Sequence, residues 1–373
     1  MHFTANSITF EKFLSFVQPV VPLRSPMMSI LENIHIDIND GVMTLMASDV
    51  DISVSTSFKL NDSDENVTFL CQGKRLGDTI KGLGDMQLFC DFDLETGLNI
   101  QTDSGKYNIS TISPNDFPAF PQVNEDNEIT ISGEDLQRAI HFTHFAISKE
   151  PSRLAISGLL IEVNPDGSTF VATDGHRLVK YHNSAFRVPD DIMVIVPEKT
   201  IGIVSKIFSK SEVRITFDRT RICFEAEGTR VISRLIDHKF PDYNPVVPQS
   251  SESELKISRS ELLTACRRML PYANNKFPVM KMLVSSSLIE IESQEQETGS
   301  YAKETLECIF TGVPLEKFVA FKTTSLIDVL SHIEGEEVYL KFNTISKPVL
   351  IEPVEQRENE VVSMIMMPTR VGV

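Results

Sequence analysis

Three side chains able to move or steer protons stand within four positions of one another: Asp174, His176 and Arg177, in the stretch Val171-Ala172-Thr173-Asp174-Gly175-His176-Arg177-Leu178-Val179. A carboxylate, an imidazole and a guanidinium together could form an acid/base site. Hydrolysis would also need a nucleophile and an oxyanion arrangement, and the sequence identifies neither. An apolar run enters the stretch and another leaves it, with Asp174-Gly175 between. Asp-Gly favours a tight two-residue turn, because such a turn needs φ > 0, which both residues tolerate. The stretch therefore reads as two strands joined by a turn, with His176 and Arg177 just past the bend. In that reading Asp174 serves the turn and Arg177 pairs with a neighbour. Taken alone, it outweighs the catalytic one, and no catalytic residue is assigned.

Other candidate chemistry is sparse. His141 and His144 are spaced i, i+3 on an expected helix, as two metal ligands could be, but no carboxylate or Cys completes the set. No metal site and no cofactor are expected. Cys71, Cys90, Cys223, Cys266 and Cys308 are odd in number and widely spaced, which fits neither a zinc motif nor a disulfide framework and suits a reducing cytoplasm. Phosphate-binding glycine loops and nucleophile elbows are absent from the sequence.

The elements that must position the central stretch are repeated. A short strand at Phe3-Thr4-Ala5 precedes a helical pattern of Phe10, Phe13, Leu14 and Val17. The arrangement returns at Ile129-Thr130-Ile131 with Leu136, Ala139, Ile140 and Thr143. It returns again at Leu255-Lys256-Ile257 with Leu262, Ala265, Cys266 and Met269, so both steps are 126 residues. A second helical set, Leu76, Thr79, Ile80 and Leu83, recurs at Ile201, Val204, Ser205 and Phe208 and at Leu326, Val329, Leu330 and Ile333, in steps of 125. Ala47-Ser48-Asp49 lies 125 residues before Ala172-Thr173-Asp174. In the third unit the corresponding region, near Glu292-Ser293-Gln294, has lost its Asp-Gly. Between the helices run period-two stretches such as Ile34-His35-Ile36-Asp37-Ile38 and Val213-Arg214-Ile215-Thr216-Phe217. The expected fold is α+β: three tandem like domains, 1–125, 126–252 and 253–373, each with about two helices and many antiparallel strands.

A formal net charge of −17 argues against a simple basic nucleic-acid binder. Yet the six helical segments, 9–18, 73–83, 133–145, 197–210, 259–270 and 322–333, hold 12 Lys and Arg against seven Asp and Glu. If they share a face, that face is weakly positive and would attract phosphate without sequence choice. Solvated helix faces also carry Lys for solubility, so charge alone leaves both readings open. The N-terminus lacks a basic and apolar leader. The longest stretch free of charged side chains, Phe13 to Leu23, is 11 residues against the roughly 18 of a membrane span. A cytoplasmic protein with no membrane partner is expected.

Repeat and motifs together resemble the bacterial DNA polymerase III beta subunit, the sliding-clamp family, over the whole chain. The carriers are Ala172-Thr173-Asp174-Gly175-His176-Arg177-Leu178, Ser233-Arg234-Leu235-Ile236 and Lys239-Phe240-Pro241-Asp242-Tyr243. Met367-Pro368-Thr369-Arg370-Val371 and Ser29-Ile30-Leu31 add to them. The resemblance implies a DNA clamp fold: a homodimeric head-to-tail ring of six like domains, helices lining the hole and antiparallel sheets outside. Double-stranded DNA would be held topologically and without sequence choice. The ring would act as a processivity factor in DNA replication, tethering the replicative DNA polymerase and catalysing nothing itself. The clamp loader and other clamp-binding-motif proteins are the further partners implied. Their peptides would enter a pocket matching Ile156, Thr173, Gly175, His176, Arg177, Leu178, Pro241, Val246, Ile365, Met367, Pro368, Thr369 and Arg370. There His176 and Arg177 would shape the polar edge. Pro245, where the family often has a basic residue, and the Gly372-Val373 extension depart from the pattern. DNA-facing positions match Arg24, Lys74, Arg75, Lys149, Arg153 and Lys199. Leu154-Ala155 replaces an aromatic pair sometimes found there. Tyr107 and Ile109 on an edge strand would meet Pro271, Tyr272 and Phe277 across the dimer interface. Two other readings remain on the sequence: an enzyme using Asp174, His176 and Arg177, and an acidic scaffold indifferent to DNA.

Overall fold

The computed structural model describes residues 1–24, 28–124, 127–189, 191–315 and 317–369. Among them are six α-helices: α1 (Ser7–Val17), α2 (Gly73–Lys81), α3 (Gly133–Thr143), α4 (Glu198–Ile207), α5 (Arg259–Met269) and α6 (Thr323–His332). Five fall within a segment expected from the periodicity, and α1 starts two residues before its expected segment 9–18. Helix α1 starts where the Asn6 side chain accepts the Thr9 N–H at 3.2 Å, and it buries Ser7, Phe10, Leu14 and Val17 along one stripe. Helix α5 starts in the same way on Ser258 and buries Leu262, Leu263, Ala265, Cys266 and Met269. Burying each such Leu, Val or Phe stabilises the fold by about 1.5–3 kcal/mol, which outweighs the weak intrinsic preferences of helices this short.

The chain forms two compact units, Met1–Gln137 with Lys199–Leu235, and Arg138–Glu198 with Ile236–Val373. The three-fold repeat is nonetheless plain in the element order, and the reason the units cut through its middle copy lies in the sheets. In the first unit a nine-stranded antiparallel sheet runs Thr111–Ile112, Val67–Gln72, Asn33–Asn39, Val42–Ser48, Ile52–Lys59, Thr229–Arg234, Arg221–Ala226, Glu212–Phe217, Asn127–Ser132. The join between repeats is the ladder of Ile52–Lys59 with Thr229–Arg234, in which Ile232 faces Ser53. A five-stranded sheet in the same unit runs Asp62–Ser63, His2–Asn6, Gln87–Asp93, Gly97–Gln101, Lys106–Ile109.

The second unit has the same plan. Its nine-stranded sheet runs Ile192–Pro197, Gly158–Asn164, Gly167–Thr173, Arg177–Asn183, Glu360–Met366, Val349–Pro353, Glu337–Phe342, Ser253–Ser258, Ile309–Gly312. Here the join is Arg177–Asn183 with Glu360–Met366, in which Ile365 faces Leu178. A four-stranded sheet runs Tyr301–Glu307, Leu288–Gln294, Val279–Val284, Val319–Lys322. Backbone ladders thus fuse neighbouring repeats, so contacts across a repeat boundary rival those within a repeat.

Cys71, Cys90, Cys223 and Cys266 are buried free thiols; burial pushes Cys71, Cys90 and Cys266 up to about 12 and Cys223 upward too. They serve as core side chains, as their place in the apolar pattern suggests. No helix among the described residues is long and apolar enough to cross a membrane.

Candidate docking site

The central stretch is a hairpin, but its turn is longer than Asp-Gly alone. The last pair of the ladder is Thr173 with Leu178, so Asp174 to Arg177 form the loop end and His176 lies within the bend. The reason is the Asp174 carboxylate. Its Oδ1 accepts the N–H groups of His176 at 2.9 Å and Arg177 at 3.1 Å, closing a wider turn than two residues would allow. Thr173 Oγ1 donates to the Arg177 carbonyl at 2.7 Å and accepts the Gly175 N–H at 3.1 Å. Gly175 takes φ +89°, and a Cβ there would meet the Arg153 guanidinium at 2.9 Å. The C-terminal tail is tied to this turn, since the Met367 N–H donates to the His176 carbonyl at 2.8 Å. It continues to Thr369, whose N–H donates to the Ala320 carbonyl at 2.7 Å.

Beneath the turn lies an apolar cluster of Ile156, Leu160, Val171, Leu178, Ile195, Phe240, Tyr243, Leu350 and Ile365, with Ile236, Val246 and Val247 packed against it. Alternation brings it together. Leu160 faces both Val171 and Ile195 in the ladders, and Leu178 faces Ile365, so five neighbouring strands present one face. The segment after Ile236 crosses that face and contributes Phe240, Tyr243 and Val246. Around the cluster, Gly175, His176, Pro241 and Met367 are exposed and Thr173, Pro368 and Thr369 partly so. An apolar floor with a rim of open polar and backbone groups can bury the apolar side chains of a short peptide and fix its main chain.

Most of the expected pocket residues therefore gather in one place: Ile156, Leu178, Val246 and Ile365 in the floor, Thr173, Gly175, His176 and Met367 on the turn and tail. Arg177 does not shape the edge. It points to the opposite face of its strand from Leu178, is nearly buried, and gives its guanidinium to Asp328 at 2.7 Å and the Phe145 carbonyl at 2.8 Å while stacking on the Phe145 ring. Alternation along a strand dictates this, because consecutive residues cannot face the same side. Arg370 lies outside the described residues. Leu160, Val171, Ile195 and Leu350 were not expected in the site; their signal was only ordinary strand periodicity. Phe240 and Tyr243 stood in a quoted motif without a role.

The expected DNA-facing residues divide. Arg24, Lys74, Arg75 and Lys149 are exposed, Lys74 pairing with Asp78 at 2.5 Å one helical turn along α2. Arg153 instead donates to the Asp174 carbonyl at 2.9 Å and braces the hairpin turn. Lys199 is bonded to Asp49. At the expected dimer interface Tyr107, Pro271, Tyr272 and Phe277 are exposed, Phe277 by 77%. Ile109 is not available there: it is buried as part of its own sheet, facing Leu98, because alternation turns it inward. No group of three metal-ligating side chains occurs among the described residues.

A tandem three-fold α+β repeat whose sheets fuse across repeat boundaries, with an apolar cluster beside one fusion, defines the class of DNA clamp folds. The N-terminal, central and C-terminal domains of the DNA polymerase III beta subunit match residues 1–121, 130–242 and 244–370, and the chain belongs to that family. The beta sliding clamp of Pseudomonas aeruginosa is 28% identical over 99% of this chain and 100% of its own length; that of Rickettsia bellii is 27% identical over 97% and 98%. A crystal structure of the Pseudomonas aeruginosa sliding clamp, bound to griselimycin, has a TM-score of 0.92 at 26% identity with both chains fully covered. The beta subunit of Thermotoga maritima reaches the same TM-score of 0.92 at 20% identity, which speaks for the fold.

Proposed function

We propose that this chain is a DNA replication processivity factor that closes with a second copy into a ring around duplex DNA and docks polymerase, clamp loader and other partners by short peptides. It works by tethering and makes or breaks no bond. Its place is the cytoplasm, and its three domains are 1–125, 126–252 and 253–373.

The observation that carries this reading is the state of the sheet edges. The strand Ile52–Lys59 of the first repeat pairs with Thr229–Arg234 of the second, and its counterpart Arg177–Asn183 pairs with Glu360–Met366 of the third. The third counterpart, Tyr301–Glu307, is a free sheet edge with Tyr301 70% exposed. So is Lys106–Ile109, the first-repeat counterpart of Thr229–Arg234. Exposed edges of this kind seek a strand. Pairing Tyr301–Glu307 of one copy with Lys106–Ile109 of the next repeats the internal joins and closes after two copies, with Tyr107, Tyr272 and Phe277 covered. Ile109 supports the joint from inside.

The exposed cations Arg24, Lys74, Arg75 and Lys149 are the DNA contacts favoured by their solvent access. Lys74, Lys199 and Arg153 each have an intramolecular partner, Asp78, Asp49 and the Asp174 carbonyl, so their phosphate contacts would compete with those bonds. A modest positive lining suits sliding, since each strong phosphate contact would have to be broken at every step.

Native mass measurement at micromolar concentration should give two copies, and loaded protein should stay on circular duplex and leave when the circle is cut. A monomer with no such retention overturns the proposal. The acidic-scaffold alternative is separated by replacing Arg24, Lys74, Arg75 and Lys149 with Gln: retention unchanged at low salt would favour the scaffold.

A further inference from the structure

Among the described residues, the wall of the docking site formed by residues 236–247 is tied to the floor by one side-chain hydrogen bond, besides a backbone bond at its start. Tyr243 is 8% exposed, and its hydroxyl donates to Glu162 Oε2 at 2.5 Å. Burial and the neighbouring Glu162 carboxylate push the Tyr243 phenol upward, so it remains a donor. Glu162 lies two residues beyond Leu160 on Gly158–Asn164, and so on the face that forms the pocket floor.

Tyr243 also organises the wall locally. Its carbonyl accepts the Val246 N–H at 3.0 Å, and its ring meets Phe240 edge-on with centroids 6.5 Å apart. At the start of the wall the Ile236 N–H donates to the Ile195 carbonyl at 3.0 Å. Within the segment itself, Asp242 accepts the Asn244 N–H at 3.1 Å and the Asn244 side-chain amide at 3.2 Å. The wall is thus anchored by Ile236 at one end and by Tyr243 in the middle, with apolar contacts between.

The first unit supplies an internal control. There Phe120 occupies the corresponding place and lies by the Arg230 guanidinium at 5.7 Å, with no hydroxyl to donate. Asp37, the counterpart of Glu162, accepts instead from Thr68 at 2.6 Å. The tyrosine–carboxylate tether occurs on the surface that has the apolar pocket.

We infer that Tyr243 and Glu162 are positioning residues that hold the 236–247 wall in place for a docking peptide, so that ordering cost is met before the peptide arrives. This rests on the docking reading above. A charge-assisted hydrogen bond of this burial contributes enough to shift a wall equilibrium about tenfold.

The test uses the full-length dimer and a synthetic pentapeptide presenting one Leu and one Phe. Tyr243→Phe and Glu162→Ala should each raise Kd about tenfold and speed amide exchange in 236–247 without the peptide, while Glu162→Gln, which keeps an acceptor, should restore most of both. Unchanged Kd and exchange in Tyr243→Phe overturn the inference. Faster exchange with unchanged Kd overturns it as well, since the wall would then be mobile without consequence. If the wild type binds no such peptide, the docking reading itself fails, whereas a slow-exchanging wild-type wall would still report the tether.

Discussion

The same surface is built twice in this chain, and the two copies differ in how apolar their floors are. In the first unit His35 faces Met46 and Leu70, and Ser53 faces Ile232; in the second, at positions 125 residues on, Leu160 faces Val171 and Ile195, and Leu178 faces Ile365. The ladders are alike, so the backbone scaffold does not distinguish them. The side chains do. Phe117 lies against the His35 ring at 5.4 Å, and Ser53 is bonded to Ser48 at 2.9 Å, so the first floor interrupts Met46, Leu70 and Ile232 with two polar side chains and is partly capped. A floor interrupted by an imidazole and a hydroxyl offers an apolar visitor less apolar surface to bury against. The turns beside the two floors share one design as well: Asp49 Oδ1 accepts the Ile52 N–H at 2.8 Å, and Val50 takes φ +87° where the second copy has Gly175 at +89°.

The largest expected effect comes from erasing the difference. Leu160→His with Leu178→Ser would give the second floor the first one's side chains and should weaken peptide binding by about 100-fold or more. The fold should lose about 2–5 kcal/mol per buried leucine removed. Titration of the labelled peptide and thermal melting read the two effects; near-native affinity in a folded variant would break the comparison.

Next come the ties that anchor each turn. Arg177→Ala removes a nearly buried guanidinium from Asp328, the Phe145 carbonyl and the Phe145 ring and should cost about 2–4 kcal/mol in chemical denaturation. Lys199→Ala removes a half-exposed partner of Asp49 and should cost about 1 kcal/mol or less. Equal losses would mean that the two turns are anchored alike.

The turn backbones should respond with opposite sign. Gly175→Ala puts a Cβ at positive φ and against Arg153, at a cost of about 1–2 kcal/mol with weaker peptide binding. Val50→Gly relieves a β-branched residue in the same conformation and should stabilise by about 1 kcal/mol. If Val50→Gly destabilises in denaturant titrations, the strain argument for the first turn is wrong.

The smallest effect is in pH. Burial holds the His35 imidazole below its ordinary value, with Asp37 opposing in part. The unfolded chain therefore binds the His35 proton more readily than the folded one, and stability falls as pH drops through about 6.5, the unfolded value. His141 and His182 are lowered too and add to the slope. His35→Leu should flatten the decline in melting temperature between pH 7.5 and pH 5.5, as measured by calorimetry; an unchanged slope would place the imidazole in water.

How legible the site was in the sequence depended on how local its causes are. Asp174, Gly175 and the flanking apolar runs announced a hairpin, because turn chemistry is settled by a few adjacent residues. The turn's true width was not announced, because it is set by which N–H groups the Asp174 carboxylate reaches. The family resemblance made Arg177 a rim residue, whereas the turn reading paired it with a neighbour; it is a buried tie to Asp328, because strand register turned it away from Leu178. Leu350 carried only strand periodicity, since its place in the floor depends on a ladder with Glu360–Met366.

By itself the sequence determined the six helices and the repeat of about 125 residues, because helical and strand periodicities are local and two equal steps are hard to produce by chance. It also carried the family motifs. Only the tertiary structure decided that sheets fuse across repeat boundaries, that Ile109 turns inward, and that Arg153 and Lys199 are held by partners of their own. Those outcomes rest on pairing between residues far apart in the chain, and pairing register is an energy of the whole sheet rather than of any segment.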